Sequence, residues 1–161
     1  MVMEIHLIYA STSGNVEIVM ETIAKILKDK QFKIFLSRAE KTLPKTVKNN
    51  HRFIFGTSTW DHGRLNPFFD NLAQKMQSIN CHNKQAAFIG LGDRRYEPVL
   101  FCEGIEKIRK LWLTKGGKQI SSTLKINGEP YAQLNTIVAP WAALIAQAWT
   151  NNHAPNQKTS N

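Results

Sequence analysis

The chain has 161 residues, of which 42% are hydrophobic and 20% charged, with only 9 Gly and 6 Pro, and this balance excludes a disordered, collagen-like or low-complexity protein. One folded domain is expected at this length. The 21 Lys and Arg residues outnumber the 12 Asp and Glu residues, so the net charge of +9 attracts polyanions, although the basic residues are scattered and form no basic tail.

No apolar run approaches the roughly 20 residues of a membrane span, and residues 1–4 lack the basic segment that opens a signal peptide. Cys81 and Cys102 form neither a disulfide framework nor a Cys-x-x-Cys pair, so both are expected to be free thiols. These patterns predict a cytoplasmic protein, because thiols stay reduced there.

The first part of the chain predicts a strand, a loop and a helix. Residues 5–10 are apolar and partly β-branched, which predicts a buried strand, and residues 11–15 are rich in turn and cap formers. From Val16, apolar residues recur at three- and four-residue spacing and mark one face of a helix that ends near Lys28.

The alternation of strands and helices continues to residue 149. Four further strands are predicted, at residues 32–36, 52–57, 85–91 and 119–126. A polar connection joins the second strand to the third, and Pro67 suits the first turn of a helix. Two more helices have predicted apolar sides, formed by Phe101, Ile105, Ile108 and Trp112 and by Ile137, Val138, Trp141, Leu144, Ile145, Ala148 and Trp149.

Five strands that alternate with helices indicate an α/β protein with an open, largely parallel sheet covered by helices on both faces. Residues 1–151 are expected to form this one domain, followed by a polar, disordered tail at residues 152–161. In such a sheet a ligand lies beyond the carboxyl ends of the strands, where the strand order reverses. Three loops of this chain are predicted to end there.

The first of these loops combines the hydroxyl side chains of Ser11, Thr12 and Ser13 with Gly14, just before a helix N-terminus. Unpaired backbone N–H groups and the helix dipole at that point favour an anion such as phosphate. An alternative is open at this point, because Ser13 or Asn15 could instead cap the helix.

The other two loops each place an aromatic side chain beyond a strand end. Trp60 lies in residues 57–64, after the third strand, and Tyr96 lies in residues 92–96, after the fourth. Two aromatic rings that face each other can sandwich a flat ring, with stacking of about 0.5–1.5 kcal/mol per face. Either ring could instead pack on its own loop.

Four segments, taken in order, are similar to motifs of one family. Residues 11–16, Ser-Thr-Ser-Gly-Asn-Val, resemble the phosphate loop of flavodoxins of the short-chain type, small proteins that carry flavin mononucleotide (FMN). The resemblance runs from residue 5 to about residue 149. The other matching segments are Ser58, Thr59 and Trp60, then Gly92 and Asp93 with Tyr96, Phe101 and Cys102, and finally residues 124–130 before the last helix.

This resemblance implies a flavodoxin-like three-layer sandwich with a five-stranded parallel sheet in the order 2-1-3-4-5. It also implies that residues 11–16 hold the phosphate of FMN, that Trp60 and Tyr96 flank the isoalloxazine, and that backbone groups around Asp93 and Cys102 meet its pyrimidine edge. The residues so assigned to FMN are Ser11, Thr12, Ser13, Gly14, Asn15, Val16, Ser58, Thr59, Trp60, Asp61, Gly92, Asp93, Tyr96, Phe101 and Cys102.

The chain departs from the family pattern at several places. Val16 stands where the family usually has a hydroxyl residue, so one phosphate hydrogen bond is missing. Asp61 stands where short-chain members often have Gly, and its Cβ disfavours positive φ, which predicts a low yield of half-reduced flavin. The segment from Tyr96 to Phe101 is longer than the family spacing, and the family is typically acidic where this chain is basic.

Motifs of other chemistries are missing from the sequence. Gly90 and Gly92 lack the third Gly of a dinucleotide fingerprint and lie on the fourth strand, and there is neither a P-loop nor a Gly-x-Ser-x-Gly motif. The 5 His residues show no spacing typical of a metal site. Nucleotide hydrolysis, ester hydrolysis and a metal centre are therefore not predicted.

The sequence predicts an FMN-binding carrier of single electrons, a monomer that exchanges electrons with redox partner proteins through their acidic docking surfaces. One alternative is a flavin-dependent quinone-type reductase on the same fold, which needs a second binding site beside the flavin. The other is a basic polyanion-binding module with a vestigial flavin site. The net charge supports that module, but aromatic and basic residues are not interleaved as nucleic-acid platforms require.

Overall fold

Seven strands and five α-helices lie within residues 2–96 and 98–152, the part of the chain that a computed structural model describes. In chain order they are β1 (Glu4–Ala10), α1 (Asn15–Asp29), β2 (Lys33–Arg38), α2 (Pro44–Asn49), β3 (Arg52–Trp60), β4 (Arg64–Leu65), α3 (Pro67–Met76), β5 (Gln85–Gly92), α4 (Glu103–Thr114), β6 (Lys118–Gln119), β7 (Leu124–Asn127) and α5 (Ala139–Asn151). Of the predicted tail, Asn152 belongs to this part, and residues 153–161 lie outside the described residues.

The strands form one sheet in the order β2-β1-β3-β5, and β6 and β7 both pair with the remaining edge of β5. These pairs are parallel, whereas the two-residue β4 runs antiparallel along the end of β3. With β6 and β7 taken as two parts of one strand, this order confirms the predicted fold class. The order reverses between β1 and β3, so the carboxyl ends of β1, β3 and β5 lie side by side.

Two apolar layers, one on each face of the sheet, hold the helices to the strands. Successive strand residues point to opposite faces, so Leu7 packs with α1 and α5, and Ile8 packs with α3 and α4. In the second layer Trp112 of α4 is fully buried, and its ring centroid lies 5.5 Å from that of Phe53 and 5.4 Å from that of Phe55. This indole fixes α4 on the sheet.

The predicted strand at residues 119–126 is interrupted in the structure. The side-chain amide of Gln119 donates to the Ser121 carbonyl (2.8 Å) and to the Thr123 hydroxyl (3.1 Å). The indole N–H of Trp141 donates to the Ser122 carbonyl at 3.1 Å. Because these side chains provide hydrogen bonds in place of a sheet neighbour, the segment loops out between β6 and β7.

The third strand is longer than predicted because β4 pairs with its end. Thr59 lies opposite Leu65, so the ladder continues past Thr57 to Trp60. The turn that joins β3 to β4 has positive φ at His62 (56°) and at Gly63 (76°). The polar connection between the second and third strands also contains a helix, α2, which was not predicted although Pro at its first position is a helix-start signal.

The last helix buries a narrower stripe than predicted. A π-helical turn (Leu134–Val138) precedes α5, which packs on α1 and one face of the sheet. Ile137 and Leu144 are 42% and 60% exposed, so their assignment to a buried side is wrong. A helix that contacts a single layer needs a stripe only about 100° wide. The residues of the predicted set that are buried are Val138, Trp141, Ile145 and Trp149.

Cys81 and Cys102 are both free thiols and both buried. Within residues 2–96 and 98–152, no helix is at once long enough and apolar enough to cross a bilayer. The same residues contain no group of three or more His, Cys, Asp or Glu side chains that could hold a metal ion.

We expect Gly104→Ala to lower the free energy of unfolding by about 1–3 kcal/mol, because α4 packs directly on the end of β3. A Cβ at Gly104 would lie 2.8 Å from the Ser58 carbonyl oxygen and 3.1 Å from the Thr59 hydroxyl oxygen, so backbone must move. Urea denaturation measures the change. The control is Lys107→Ala on the exposed side of the same helix, which should cost less than about 0.5 kcal/mol. Equal losses in the two variants would contradict the close contact.

Candidate functional site

A cleft of about 320 Å³ lies at the carboxyl ends of β1, β3 and β5, where the strand order reverses. Leu91, Arg95, Gly128 and Glu129 form part of its wall. The structure also brings together in this wall many of the residues predicted from the sequence. They are Ser11, Thr12, Ser13, Asn15, Val16, Ser58, Thr59, Gly92 and Asp93.

The loop after β1 leaves the N-terminus of α1 without a side-chain cap. The N-cap residue is Gly14, whose φ of 90° is readily adopted by glycine. The Ser11 hydroxyl accepts a hydrogen bond from the Gly14 N–H at 3.2 Å, which closes the loop. Neither Ser13 nor Asn15 caps the helix, so that alternative is wrong. The first-turn N–H groups have no side-chain acceptor at this cap and can serve an anion.

Val16 borders the cleft but contributes its side chain to the core. The side chain is 1% exposed and packs in the layer beneath α1 and α5. Packing therefore accounts for an apolar residue at a position where a hydroxyl would face an anion. The backbone N–H of Val16 belongs to the first turn of α1.

Arg38, the last residue of β2, supports this loop from behind and was not predicted from the sequence. Its Nη2 donates to the Ser11 carbonyl at 2.5 Å, and its Nε donates to a Glu40 carboxylate oxygen at 2.5 Å. The guanidinium carbon lies 5.5 Å from the centroid of the Tyr9 ring. Because the β1–β2 register pairs Arg38 with Tyr9, only the sheet brings the guanidinium to the loop.

The carboxylate of Glu17, in the first turn of α1, has two partners in this region. The Tyr9 hydroxyl donates to it at 2.6 Å, and an Nη1 of Arg38 lies 3.6 Å away. Burial and the hydrogen bond to Glu17 raise the pKa of Tyr9 to about 12, so the phenol remains a neutral donor. A cation and a donor on Glu17 offset its negative charge beside the helix N-terminus.

Asn66 connects two walls of the cleft and was also missed. Its side chain is fully buried just before α3, and its amide oxygen accepts from the Phe68 N–H at 2.9 Å. Its amide nitrogen donates to the Thr12 hydroxyl (3.1 Å) and to the Ser58 hydroxyl (3.0 Å). The Asn-Pro pair at residues 66 and 67 signals a helix cap, but the pattern does not reveal contacts with residues so distant in the sequence.

Trp60 lies at the hairpin beside the cleft and is 41% exposed. Its side chain lines a second depression of about 560 Å³, together with Arg64 and Leu65. The backbone of Asp61 begins the turn after Trp60, and the Asp61 side chain lies outside the described part of the chain. The hydroxyl oxygen of Thr59, the residue before Trp60, accepts a hydrogen bond from the Gly104 N–H at 2.9 Å. This bond joins the end of β3 to α4.

The loop after β5 is joined to the loop after β7. The Gly128 N–H donates to the Gly92 carbonyl at 2.8 Å, and the Arg94 N–H donates to the side-chain oxygen of Asn127 at 2.8 Å. These bonds explain why a segment remote in sequence completes the wall opposite the loop after β1.

Asp93 and Arg95 form an ion pair in the wall of the cleft. An Nη2 of Arg95 lies 2.6 Å from Asp93 Oδ2, and the hydrogen bonds from Arg95 hold the pKa of Asp93 below its usual range. The neighbouring Tyr96 is 77% exposed, with the Arg95 guanidinium 5.4 Å from its ring centroid. The carboxylate therefore stays charged and partly offsets the arginine.

Phe101 and Cys102 contact the end of β5 but turn their side chains away from open solvent. Cys102 is fully buried, with φ 56°, and burial raises the pKa of its thiol to about 12. Phe101 is half-buried, with the Arg94 guanidinium 4.5 Å from its ring centroid. A Cβ on Gly92 would lie 3.1 Å from the Phe101 ring and 3.2 Å from the Cys102 nitrogen, so the glycine permits this close approach.

Comparisons with known proteins agree with this arrangement. The model of the family described as flavodoxin matches residues 7–141. A flavodoxin of Maridesulfovibrio salexigens is 27% identical over 143 residues, which are 87% of this chain and 94% of the relative. The residues that the family model matches include the ends of β1, β3 and β5, which form the cleft.

Solved structures give the same result for the fold. Oxidised flavodoxin 2 from Bacillus cereus has a TM-score of 0.81 and 25% identity, covering 92% of this chain and 99% of its own. The flavodoxin of Fusobacterium nucleatum, solved with bound flavin mononucleotide, has a TM-score of 0.75 and 20% identity, covering 89% of this chain and 97% of its own. Since the family model spans most of its length, the chain belongs to the flavodoxins, the family of FMN-binding carriers of single electrons.

Proposed function

We propose that the chain binds one FMN in the cleft at the carboxyl ends of β1, β3 and β5 and carries electrons between redox partner proteins. The observation that carries this proposal is the uncapped N-terminus of α1, which opens onto the hydroxyl groups of Ser11, Thr12 and Ser13. A phosphate monoester accepts hydrogen bonds and is favoured by the helix dipole, so it fits this arrangement. The FMN bound to the Fusobacterium flavodoxin supports the choice of ligand.

In this proposal the three loops share the contacts with the cofactor. Residues 11–16 hold the phosphate, Ser58 and Thr59 line the cleft beside them, and Trp60, Asp61 and Tyr96 border the ring. Backbone groups at residues 92–93 and 101–102 meet the polar edge of the ring, because Gly92 allows the two segments to approach closely. When bound, FMN supplies the one-electron chemistry, while the chain binds it, orients it and sets the surrounding charge.

The assignment to the flavodoxins favours an electron carrier over the two alternatives, a quinone-type reductase and a polyanion-binding module. We further propose a monomer in the cytoplasm, consistent with two buried, free thiols. Its partners are proposed to be acidic where they dock, because Arg94 and Arg95 lie on the loop after β5, Arg64 lies on β4 beside Trp60, and the net charge is +9.

The apoprotein should bind FMN in preference to FAD, at one molecule per chain, since the cleft offers one phosphate site and no second Gly-rich loop for a pyrophosphate. We expect Trp60→Ala and Tyr96→Ala each to weaken FMN binding by about 1–3 kcal/mol through lost stacking and burial. Fluorescence titration of the apoprotein measures both effects.

Leu144→Ala is the matched control for this titration, because Leu144 is 60% exposed on α5, away from the cleft. Its affinity for FMN should equal that of the parent. Equal affinities for FAD and FMN, or aromatic variants that bind like the control, would contradict the assignment of the loops.

Electron transfer with an acidic partner should slow as salt is added, and transfer with a basic reductase should stay constant or become faster. The reason is that the Debye length falls from about 30 Å at 0.01 M to about 8 Å at 0.15 M, which screens attraction and repulsion alike. Stopped-flow rates over this range test the proposed docking chemistry. A basic partner that reacts faster at low salt would overturn it.

Replacing Arg94 and Arg95 together by Glu should lower the potential of the second one-electron step of the bound flavin. Carboxylates in place of cations beside the cleft disfavour an added electron. A redox titration at pH 7 measures this potential. Lys28→Glu with Lys30→Glu makes the same change in net charge at the far end of α1 and is the control. A potential that falls equally in both double variants would show that the arginines have no local effect.

A further inference from the structure

The contacts of Asn66 determine more than the packing of its own loop. The side chain is fully buried, and each of its polar groups is satisfied by a partner in a different segment of the chain. The amide oxygen accepts from the Phe68 N–H at the start of α3. The amide nitrogen donates one hydrogen bond to the hydroxyl of Thr12, after β1, and one to the hydroxyl of Ser58, near the end of β3. One side chain thus joins α3 to two walls of the cleft.

The cap on α3 fixes which end of the amide faces the cleft. The Phe68 N–H can only donate, so the atom of Asn66 that lies 2.9 Å from it must be the oxygen. The NH₂ group therefore points to Thr12 and Ser58, and it can only donate to them. Rotation of the amide would place two donors against each other at α3 and would leave a buried group unsatisfied.

A hydroxyl group that accepts a hydrogen bond from Asn66 keeps its own hydrogen for another acceptor. Thr12 and Ser58 both line the 320 Å³ cleft, so these hydrogens are free to point into it. A ligand that accepts from two hydroxyl groups and from helix N–H groups together carries several acceptor oxygens, as a phosphate monoester does.

We propose that Asn66 is a positioning residue that sets the hydroxyl groups of Thr12 and Ser58 as hydrogen-bond donors to the phosphate of the ligand. This inference rests on the proposed function, and it assigns to a residue outside the cleft the discrimination between FMN and riboflavin, which lacks the phosphate. It also accounts for a fully buried polar side chain between two loops. With both hydroxyls oriented before the ligand arrives, less ordering is left to binding.

The test is Asn66→Asp, which keeps an oxygen for the Phe68 N–H and has the same size. The new carboxylate can only accept, so the Thr12 and Ser58 hydrogens turn toward it and their lone pairs face the phosphate. We expect FMN affinity of the apoprotein to fall by at least about tenfold, the effect of losing even one of these two hydrogen bonds to a charged group, with riboflavin affinity nearly unchanged. A residue that served only loop stability would weaken both ligands equally.

A second parent protein, in which residues 12 and 58 have no hydroxyl group, separates the effect of hydroxyl orientation from the effect of the added negative charge. In a Thr12→Val, Ser58→Ala protein, Asn66→Asp should reduce FMN affinity by only about threefold or less, because no hydroxyl remains to be reoriented. An equal loss in both backgrounds would assign the effect to charge repulsion and overturn the proposal. Asn80→Asp, an exposed position whose side-chain oxygen accepts from the His82 N–H, is the matched control and should leave both affinities unchanged.

The outcomes for the parent chain distinguish this inference from the proposed function. If the parent apoprotein binds no FMN, the proposed function fails and the role of Asn66 fails with it. If the parent binds FMN and Asn66→Asp keeps the parental ratio of FMN to riboflavin affinity, only the role of Asn66 is overturned. Urea denaturation of each apoprotein shows which variants are folded, and the Thr12 and Ser58 single variants give the same ratio test without changing Asn66.

Discussion

The parallel pairing of β1 with β2 on one side and with β3 on the other is the constraint on which the rest of the structure depends. It reverses the strand order beside β1 and so brings the loops after β1, β3 and β5 to one edge of the sheet. Because Ala10 is paired with Thr57, the loops after β1 and β3 lie side by side, and the side chain of Asn66 can contact both. The register Tyr9 to Arg38 brings a guanidinium behind the first loop.

Around the cleft of this flavodoxin, some polar groups have hydrogen-bond partners within the protein and others do not. Asn66 and Arg38 use their donors within the protein and hold the loop after β1 by hydrogen bonds. The first turn of α1 lacks a side-chain cap and opens onto the cleft. With glycine at the N-cap, the missing side-chain acceptor costs only about a few tenths of a kcal/mol, and an anion bound to these N–H groups would offset that cost. An anion site requires hydrogen-bond donors that have no partner of their own and that neighbouring residues hold in place.

Charge acts differently in the cleft and over the whole molecule. In the cleft wall Arg95 is paired with Asp93, and behind the loop after β1 Arg38 is paired with Glu40 and Glu17. Local pairs of this kind keep the charge at the site more balanced than the net charge of +9. The excess of basic groups therefore acts mainly at long range, on the encounter with other charged molecules.

The sequence by itself determined the order of most strands and helices and the strand ends at which the cleft lies, because side-chain periodicity and turn residues are local properties of the chain. It also identified the hydroxyl-rich loop at Ser11 to Ser13. Only the tertiary structure decided that no side chain caps α1, that Leu144 is exposed, and that β6 and β7 are separate. Asn66 and Arg38 were missed for one physical reason. Their partners are remote in sequence, and the pairing of strands, which no local pattern records, brings them together.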